Sequence, residues 1–593
     1  MYSFKEKLRA VRSALKQNNI DAVIIPLSDP HLGENIPDHW KIIQWLTGFT
    51  GSAATVVVTD SFAGLWTDSR YFLQAEEQLA GTGFQLMKPL PFYSSGYSDW
   101  LSDNLSSGSR IGVDGRVFSV ASLRKMRQSL RGKGIDFITD FDAVGEIWEN
   151  RPQLPSSVVW DHPVSFSGKE RSDKISVVRE EMKMKGVDFH LLSSPDDIMW
   201  MLNIRGNDLP YSPLCLSFAL VGEIQILLFV DEKKIPGNIA SEFDRLGIVM
   251  LPYDEVEGML SSLDRNSSVL ISPAGTSFSL FNSIPAGIKV VEDVSIPSRL
   301  KAIKNKTEIE NISLSMIKDG VALTRFFKWI DDNSGIVPMT ELSLAIRLQE
   351  MMAQQKDYLG PSFRTIVAYN EHAALPHYMA SQESDHTLGE DGILLIDSGC
   401  HYRGGTTDIT RTICLGHPAP RQKKDFTMVL KGHIALATAK FPHGTRGYQI
   451  DILARQALWN DGCNYGHGTG HGVGYCLNVH EGPQSISPAE NKTALEAGMI
   501  ISDEPAIYRD GEYGIRTENL LLCYEDEETE YGNFMKFDTV SLCYIDTSLI
   551  DISLLDREEV DWINHYHSEV YDKLGPFLSE AEKTWLKART EPI

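Results

Sequence analysis

The stretch GILLIDSGCHYRGGTTDITRTICLG, Gly392 to Gly416, decides how this 593-residue chain is read. Apolar and polar residues alternate on either side of a glycine-rich centre, the pattern of antiparallel strands. GILLIDSG and TTDITRTICLG read as paired strands around a turn at Arg403, Gly404 and Gly405. Asp397 and Asp408 then stand on facing strands, whose pairing can bring both carboxylates to one face. A buried acidic pair repels itself, and one member protonates unless cations relieve it. One Asp on a strand is ordinarily a surface residue. The metal reading comes from the full set of five ligand-type residues, of which these are two.

Working outward, three more ligand types follow in short motifs. His471 lies in GHGTGHGVG (Gly466 to Gly474), Glu504 in SDEPAIY and Glu518 in GIRTENL. Four carboxylates and one imidazole suit a pair of divalent ions that share ligands, and such a pair activates water for hydrolysis. An oxygen-dominated set without thiolate favours Mn²⁺, with Co²⁺ or Zn²⁺ also accepted. GHGTGHGVG does not fit G-x-G-x-x-G in any register, so it is not a dinucleotide loop. Glycine at alternate positions suits a strand that other backbone or a ligand approaches closely. His467 and His471 are four apart, yet no H-E-x-x-H is present, so only His471 is assigned to the metal. His377 in AALPHYM and His480 in LNVHEGP flank these motifs. Near a metal, such histidines can hold an oxyanion or give a proton to a leaving amine. His372, His401, His417, His433 and His443 read as structural or surface residues.

Composition bounds the rest. Hydrophobic residues at 42% and charged residues at 23% place the chain among globular proteins. Its length calls for two to four domains. The formal charge of −24 argues against a nucleic-acid partner, which needs a basic face. The acidic run Glu525, Asp526, Glu527 and Glu528 reads as a solvated turn. No apolar stretch approaches the roughly 18 residues that span a bilayer, so no membrane partner is expected. Met1 to Asn19 is not a signal peptide but an amphipathic helix, with Phe4, Leu8, Val11 and Leu15 on one face and a Ser3–Glu6 capping box. Seven scattered cysteines without a C-x-x-C pair read as reduced thiols, so a cytoplasmic location is expected.

Three segments are expected: residues 1–156, 157–300 and 301–593. The first, ending near NRPQLPSS, is α/β, with strands at DAVIIPL (Asp21 to Leu27) and ATVVVTD (Ala54 to Asp60). The second has a helix over Lys169 to Lys185 and repeats the opening of the first, as a weak internal duplication. The third opens on a helix with a Thr307–Glu310 capping box and an Ile309, Ile312, Met316 stripe. It closes on a helical region, Asp556 to Arg589, in which Trp562, Tyr566 and Trp585 pack against the body.

The order Asp, Asp, His, Glu, Glu resembles the pita-bread metallopeptidases: methionine aminopeptidase, prolidase and aminopeptidase P. LPHY, LIDSG, GTTDITRT, YGHGTGHGVG, LNVHEGP, GIRTEN and LWTDSRYFLQA (Leu65 to Ala75) are similar to the long, three-domain cytosolic Xaa-Pro aminopeptidases. That resemblance implies two creatinase-like α/β domains and a C-terminal pita-bread domain with a helical extension. It implies two metal ions per subunit. Asp397 would bind one, His471 and Glu504 the other, and Asp408 and Glu518 would bridge them. His377, His480 and Glu504 would be catalytic. Arg70, His377, His467 and His480 would contact substrate. The implied reaction is release of the N-terminal residue from peptides with proline second. Xaa-Pro dipeptide hydrolysis and a non-catalytic peptide-binding role are the alternatives. A homodimer is implied too, with Trp459 near its contact. DEPA at Asp503 to Ala506 and WTDSR in place of the commoner Asp-Glu-Pro-Gly and Trp-Thr-Asp-Gly-Arg remove no ligand.

Overall fold

The β-branched runs AVIIP (Ala22–Pro26) and TVVVT (Thr55–Thr59) pair antiparallel, with Ile24 opposite Val57. Both are buried on either face, so they lie in the middle of a sheet with helices over it. In the computed structural model, which describes residues 2–68, 71–89 and 96–593, they belong to a six-stranded sheet. Its spatial order is Gln85–Met87, Ala63–Trp66, Thr55–Thr59, Ala22–Pro26, Arg110–Val113, Asp136–Ile138. A second six-stranded sheet runs Ile248–Leu251, Ile226–Phe229, Phe218–Gly222, Phe189–Leu192, Ser268–Ile271, Lys289–Glu292. Numbered along the chain, the two orders are the same. So are the orientations: each first strand is antiparallel to its second and parallel to its fifth. Both sheets belong to one compact unit, residues 1–161 with 169–297; residues 162–168 with 298–593 form the other.

The opening helix spans Phe4–Gln17 and is capped by Ser3 and Glu6 in a capping box. Leu8, Val11 and Leu15 are buried as expected, whereas Phe4 remains 36% exposed. A helix spans Arg171–Lys185, with Glu170 at its N-cap position but making no side-chain cap. Within this unit a buried Lys234–Asp208 pair, 2.7 Å apart, is completed by donors from Ser157 and Leu216.

The second unit begins with a 28-residue helix, Lys306–Asn333. Its capping box is Asn305 with Glu308, two residues before the Thr307–Glu310 pair read from sequence. The Asn305 side chain reaches the Glu308 N–H at 3.1 Å and leaves Thr307 inside the first turn. Ile312 and Met316 continue inward. The acidic run is not a turn either. Glu525 to Glu528 lie in the strand Asn519–Thr529, where Asp526 meets Lys440 at 2.8 Å and Lys536 at 2.7 Å. Cross-strand lysines neutralise it, so strand pairing is not opposed by its charge.

The expected hairpin is there in modified form. Gly392–Ser398 pairs directly with Ile409–Leu415, while Cys400–Tyr402 and Gly405–Thr406 turn at Arg403 and Gly404 in a separate small sheet. Two closing helices, Arg557–Leu574 and Glu580–Arg589, cover the core, with Tyr566 buried and Trp562 and Trp585 packed at its edge. The seven cysteines are unpaired. Among the described residues, no helix is long and apolar enough to cross a membrane.

Helices Pro420–Ala437 and Gly447–Asn460 approach so closely at Gly432 that a Cβ there would overlap the Ala454 carbonyl. Backbone on backbone cannot give way cheaply. Gly432→Ala should therefore destabilise the protein by about 1–3 kcal/mol, read as a fall in its thermal unfolding midpoint.

Candidate metal centre

Strand pairing assembles the centre. Asp397 is opposite Thr410 in the Gly392–Ser398 and Ile409–Leu415 ladder. Asp408 lies two residues before Thr410, and a period of two returns side chains to one face. Glu504 leaves the end of Ile500–Asp503, and Glu518 precedes Asn519–Thr529. These strands pair with Asp503 opposite Asn519, so both glutamates emerge at one end. The Glu518 N–H donates to the Thr410 carbonyl at 3.1 Å, which joins the two ladders. His471 comes from the two-residue strand Gly470–His471.

Three overlapping groups result, in each of which ligand-type atoms lie within 4.8 Å of one another: Asp397, Asp408, Glu518; His471, Glu504, Glu518; and Asp408, His471, His480. Asp408, His471 and Glu518 each belong to two. All five residues expected from sequence are therefore gathered. His480, read as a non-ligand, stands within reach as well, its ring edge-on to His471 at 4.4 Å.

The electrostatics suit cations. Burial pushes the Asp397 carboxyl up to about 6; Arg516 opposes this, while Asp408 and Glu504 add to it. Glu518 is raised well above its ordinary value by burial first, then by Asp408, Glu504 and Asp397. Arg516 donates to Asp397 Oδ2 at 2.5 Å, but Oδ1 is buried without a hydrogen-bond partner. An orphaned buried carboxylate oxygen costs free energy that a bound cation would remove. His471 Nδ1 lies 3.0 Å from the Gly472 carbonyl, which assigns its proton there and leaves Nε2 toward Asp408 Oδ2 at 3.5 Å and Glu504 Oε1 at 3.6 Å. Burial would lower this imidazole, but the Asp408 hydrogen bond and the charges of Glu504 and Asp408 carry it to about 9. The donor set and its unrelieved repulsion fit divalent metal.

Alternate glycines give room. A Cβ at Gly470 would overlap the Ser502 carbonyl, one at Gly472 the Glu481 carbonyl, and one at Gly474 the Asn478 carbonyl and the Glu481 side chain. At Gly466 nothing is near, so only the second half of the motif needs its glycines.

Sequence reasoning missed several residues. Arg516, two before Glu518, is buried and also donates to Thr410 Oγ1 at 3.1 Å and the Tyr508 hydroxyl at 2.8 Å. Thr410 Oγ1 donates to Glu518 Oε2 at 2.7 Å. Period-two spacing from Glu518 and Asp408 was the available signal for both. His467 is linked to the centre through Tyr508: its Nε2 lies 2.9 Å from that hydroxyl, and burial lowers its pKa. His377 is half-buried on the loop after Asn370–Ala374, and the carbonyl before it, that of Pro376, lies 3.5 Å from Arg516 Nη1. Arg70 lies outside the described residues.

Residues 310–525 match metallopeptidase family M24, and 533–593 match the C-terminal region of that peptidase family. Residues 7–147 and 150–308 each match a creatinase/prolidase N-terminal domain. Aminopeptidase P1 of Arabidopsis thaliana is 35% identical over 99% of both chains. A probable Xaa-Pro aminopeptidase P of Laccaria bicolor is 37% identical over 99% of this chain and 93% of its own. The chain belongs to the aminopeptidase P group of metallopeptidase family M24. Its structure is similar throughout to X-prolyl aminopeptidase from Caenorhabditis elegans, a cytosolic enzyme with a di-nuclear active site: TM-score 0.95, 35% identity, 100% of both chains. Membership makes it a hydrolase, and the fold is the expected one, creatinase-type α/β domains followed by a pita-bread domain.

Gly472 sits between the strand that carries His471 and the Glu481 backbone. Gly472→Ala should displace one from the other. Peptidase activity should then fall by far more than the thermal midpoint, as activity assays and calorimetry on the same sample would show.

Proposed function

We propose that the protein is a dinuclear, manganese-dependent aminopeptidase that releases the first residue of peptides carrying proline second. One observation carries the reading. Asp397, Asp408, His471, Glu504 and Glu518 converge with uncompensated charge, in a chain whose full-length relatives bear the name Xaa-Pro aminopeptidase. Asp397 would hold one ion, His471 and Glu504 the other, and Asp408 and Glu518 both. When bound, two such ions supply an activated water and polarise the scissile carbonyl.

The chain's own residues do the rest. Arg516 favours the ionised form of Asp397 against its burial, through its hydrogen bond. Thr410 and Ser502 orient Glu518 and Glu504 by donating to one oxygen of each, at 2.7 and 3.2 Å. That leaves the second oxygen of each glutamate for an ion, and Glu504, only partly buried, can take the proton released by water. His480, exposed beside His471, would protonate the departing proline nitrogen. His377 would steady the carbonyl oxygen as charge develops. His467, through Tyr508, would shape the wall, and Arg70 would hold substrate oxygens from the first domain. The proposal places the enzyme in the cytoplasm as a homodimer, with Trp459, 48% exposed, near the contact. The segments 1–156, 157–300 and 301–593 remain our division of the chain.

After chelation, adding Mn²⁺ should restore hydrolysis of Arg-Pro-Pro, while Asp408→Asn protein should stay inactive. Cleavage of Gly-Pro alone would make the enzyme a dipeptidase instead, and binding without cleavage would make it a peptide-binding relative.

The histidines separate chemistry from metal binding. His377→Ala and His480→Ala should each lower turnover about 10²–10³-fold with two ions still bound, measured by elemental analysis beside kinetics. Loss of an ion in His480→Ala would recast His480 as a ligand, consistent with its distance from Asp408 and His471.

A further inference from the structure

Behind the carboxylates lies a second buried polar layer that the proposed chemistry does not use. Arg411, His433, Asn519 and Tyr566 are all at most 3% exposed. Arg411 Nη1 donates to the carbonyls of Glu518 at 2.7 Å and Thr410 at 2.9 Å. Its Nη2 donates to Asn519 Oδ1 at 2.8 Å, the Cys543 carbonyl at 2.9 Å and the Tyr566 hydroxyl at 2.7 Å, and Nε to the Tyr544 carbonyl at 3.0 Å. The Tyr566 hydroxyl in turn lies 3.0 Å from the carbonyls of Ser541 and Cys543, one of which takes its proton. His567, next on the same helix, accepts from the Ile545 N–H at 3.1 Å.

A parallel connection starts one turn earlier on that helix. Trp562 stacks on Tyr566 at 5.3 Å and stands edge-on to His433 at 5.8 Å. His433 Nε2 accepts from Asn519 Nδ2 at 2.9 Å, while Nδ1 lies 3.2 Å from the Asp503 carbonyl and 3.0 Å from its carboxylate. Asp503 precedes Glu504 and Asn519 follows Glu518. Each glutamate is thus gripped through its chain neighbour, and both grips end on the helix Arg557–Leu574.

We propose that Tyr566 is a positioning residue for the metal centre, and that the C-terminal region serves to fix Glu518 and Glu504 through Arg411 and His433. Groups that orient ligands from behind typically contribute 10–100-fold in metal affinity. Here the lever is long. Tyr566 reaches Arg411 across 155 positions of sequence, and Arg411 reaches Glu518 across 107. The tail therefore adjusts a site to which it gives no ligand. This inference rests on the metal centre proposed above.

The test is a Mn²⁺ titration by calorimetry of chelated full-length protein, wild type beside Tyr566→Phe, which keeps the ring and its stack. Wild type should bind two ions per chain. Tyr566→Phe should bind with a dissociation constant about 10–100-fold higher for at least one ion, with excess Mn²⁺ recovering much of the lost activity. The thermal midpoint of the ion-free protein should change little. His433→Asn cuts the other connection and should weaken binding in the same direction. A folded Tyr566→Phe with unchanged affinity overturns the proposal. So does a lowered ion-free midpoint with unchanged affinity, or failure of both variants to fold, since each would mean a purely structural role. Wild type that binds no Mn²⁺ would instead remove the metal reading itself.

Discussion

Mutual repulsion among Asp397, Asp408, Glu504 and Glu518 is the constraint around which the second unit is built. Four carboxylates that close together, with Asp397, Asp408 and Glu518 buried, would separate or take up protons if the backbone were free to move. It is not free. Asp397 is fixed between two neighbouring strands, Asp408 by the ladder that begins beside it, and Glu504 and Glu518 by a pair of strands whose register is set at Asp503 and Asn519. Thr410, Ser502 and Arg516 then take one oxygen of Glu518, Glu504 and Asp397 respectively. The surrounding hydrogen bonds hold the repulsion in place rather than remove it. A site of this kind stores affinity for cations.

Much of this was legible because chemistry and period coincide. The Gly392–Gly416 stretch announced its hairpin through turn glycines and its carboxylates through position. Alternate glycines in GHGTGHGVG announced close approach, which the backbone of Ser502, Glu481 and Asn478 makes. What stayed hidden depended on partners far along the chain. His433 read as an ordinary histidine because nothing local distinguishes it; only the fold brings Asp503 and Asn519 to its two nitrogens. Arg411 was one more polar residue on a strand until the tail closed over it. The acidic run at Glu525 looked like a turn because its lysine partners, Lys440 and Lys536, are not adjacent to it. The capping box slipped by two residues because Asn305 and Thr307 are both competent caps and local sequence does not rank them.

The first unit teaches a different lesson. Its two sheets share strand order and orientation although their sequences share little beyond a helix, an Asp, an apolar run, a Ser-Pro or Asp-Pro break and a Trp-x-x-x-x-Gly or close variant. What persists is the placement of apolar runs that must be buried on both faces. AVIIP and FHLL (Phe189–Leu192) have no residue in common, yet each is the first strand of its sheet, antiparallel to the second and parallel to the fifth.

Charge explains why the centre uses its two arginines so differently. Of the four negative charges, Arg516 offsets one by direct contact. One divalent ion would leave the site net negative, the wrong sign for steadying an oxyanion. From these groups alone, two would leave it with a single positive charge, the sign that steadies a carbonyl oxygen gaining negative charge. A second guanidinium in direct contact would compete with an ion for the same oxygens. Arg411 avoids this because its donors are taken by carbonyls, an amide and a phenol, so it holds the Glu518 backbone and touches no ligand oxygen. Its charge is still felt at the site through a low-dielectric interior, while its position is set by the tail. One arginine would neutralise and the other position, and the carboxylates would keep their remaining oxygens for metal.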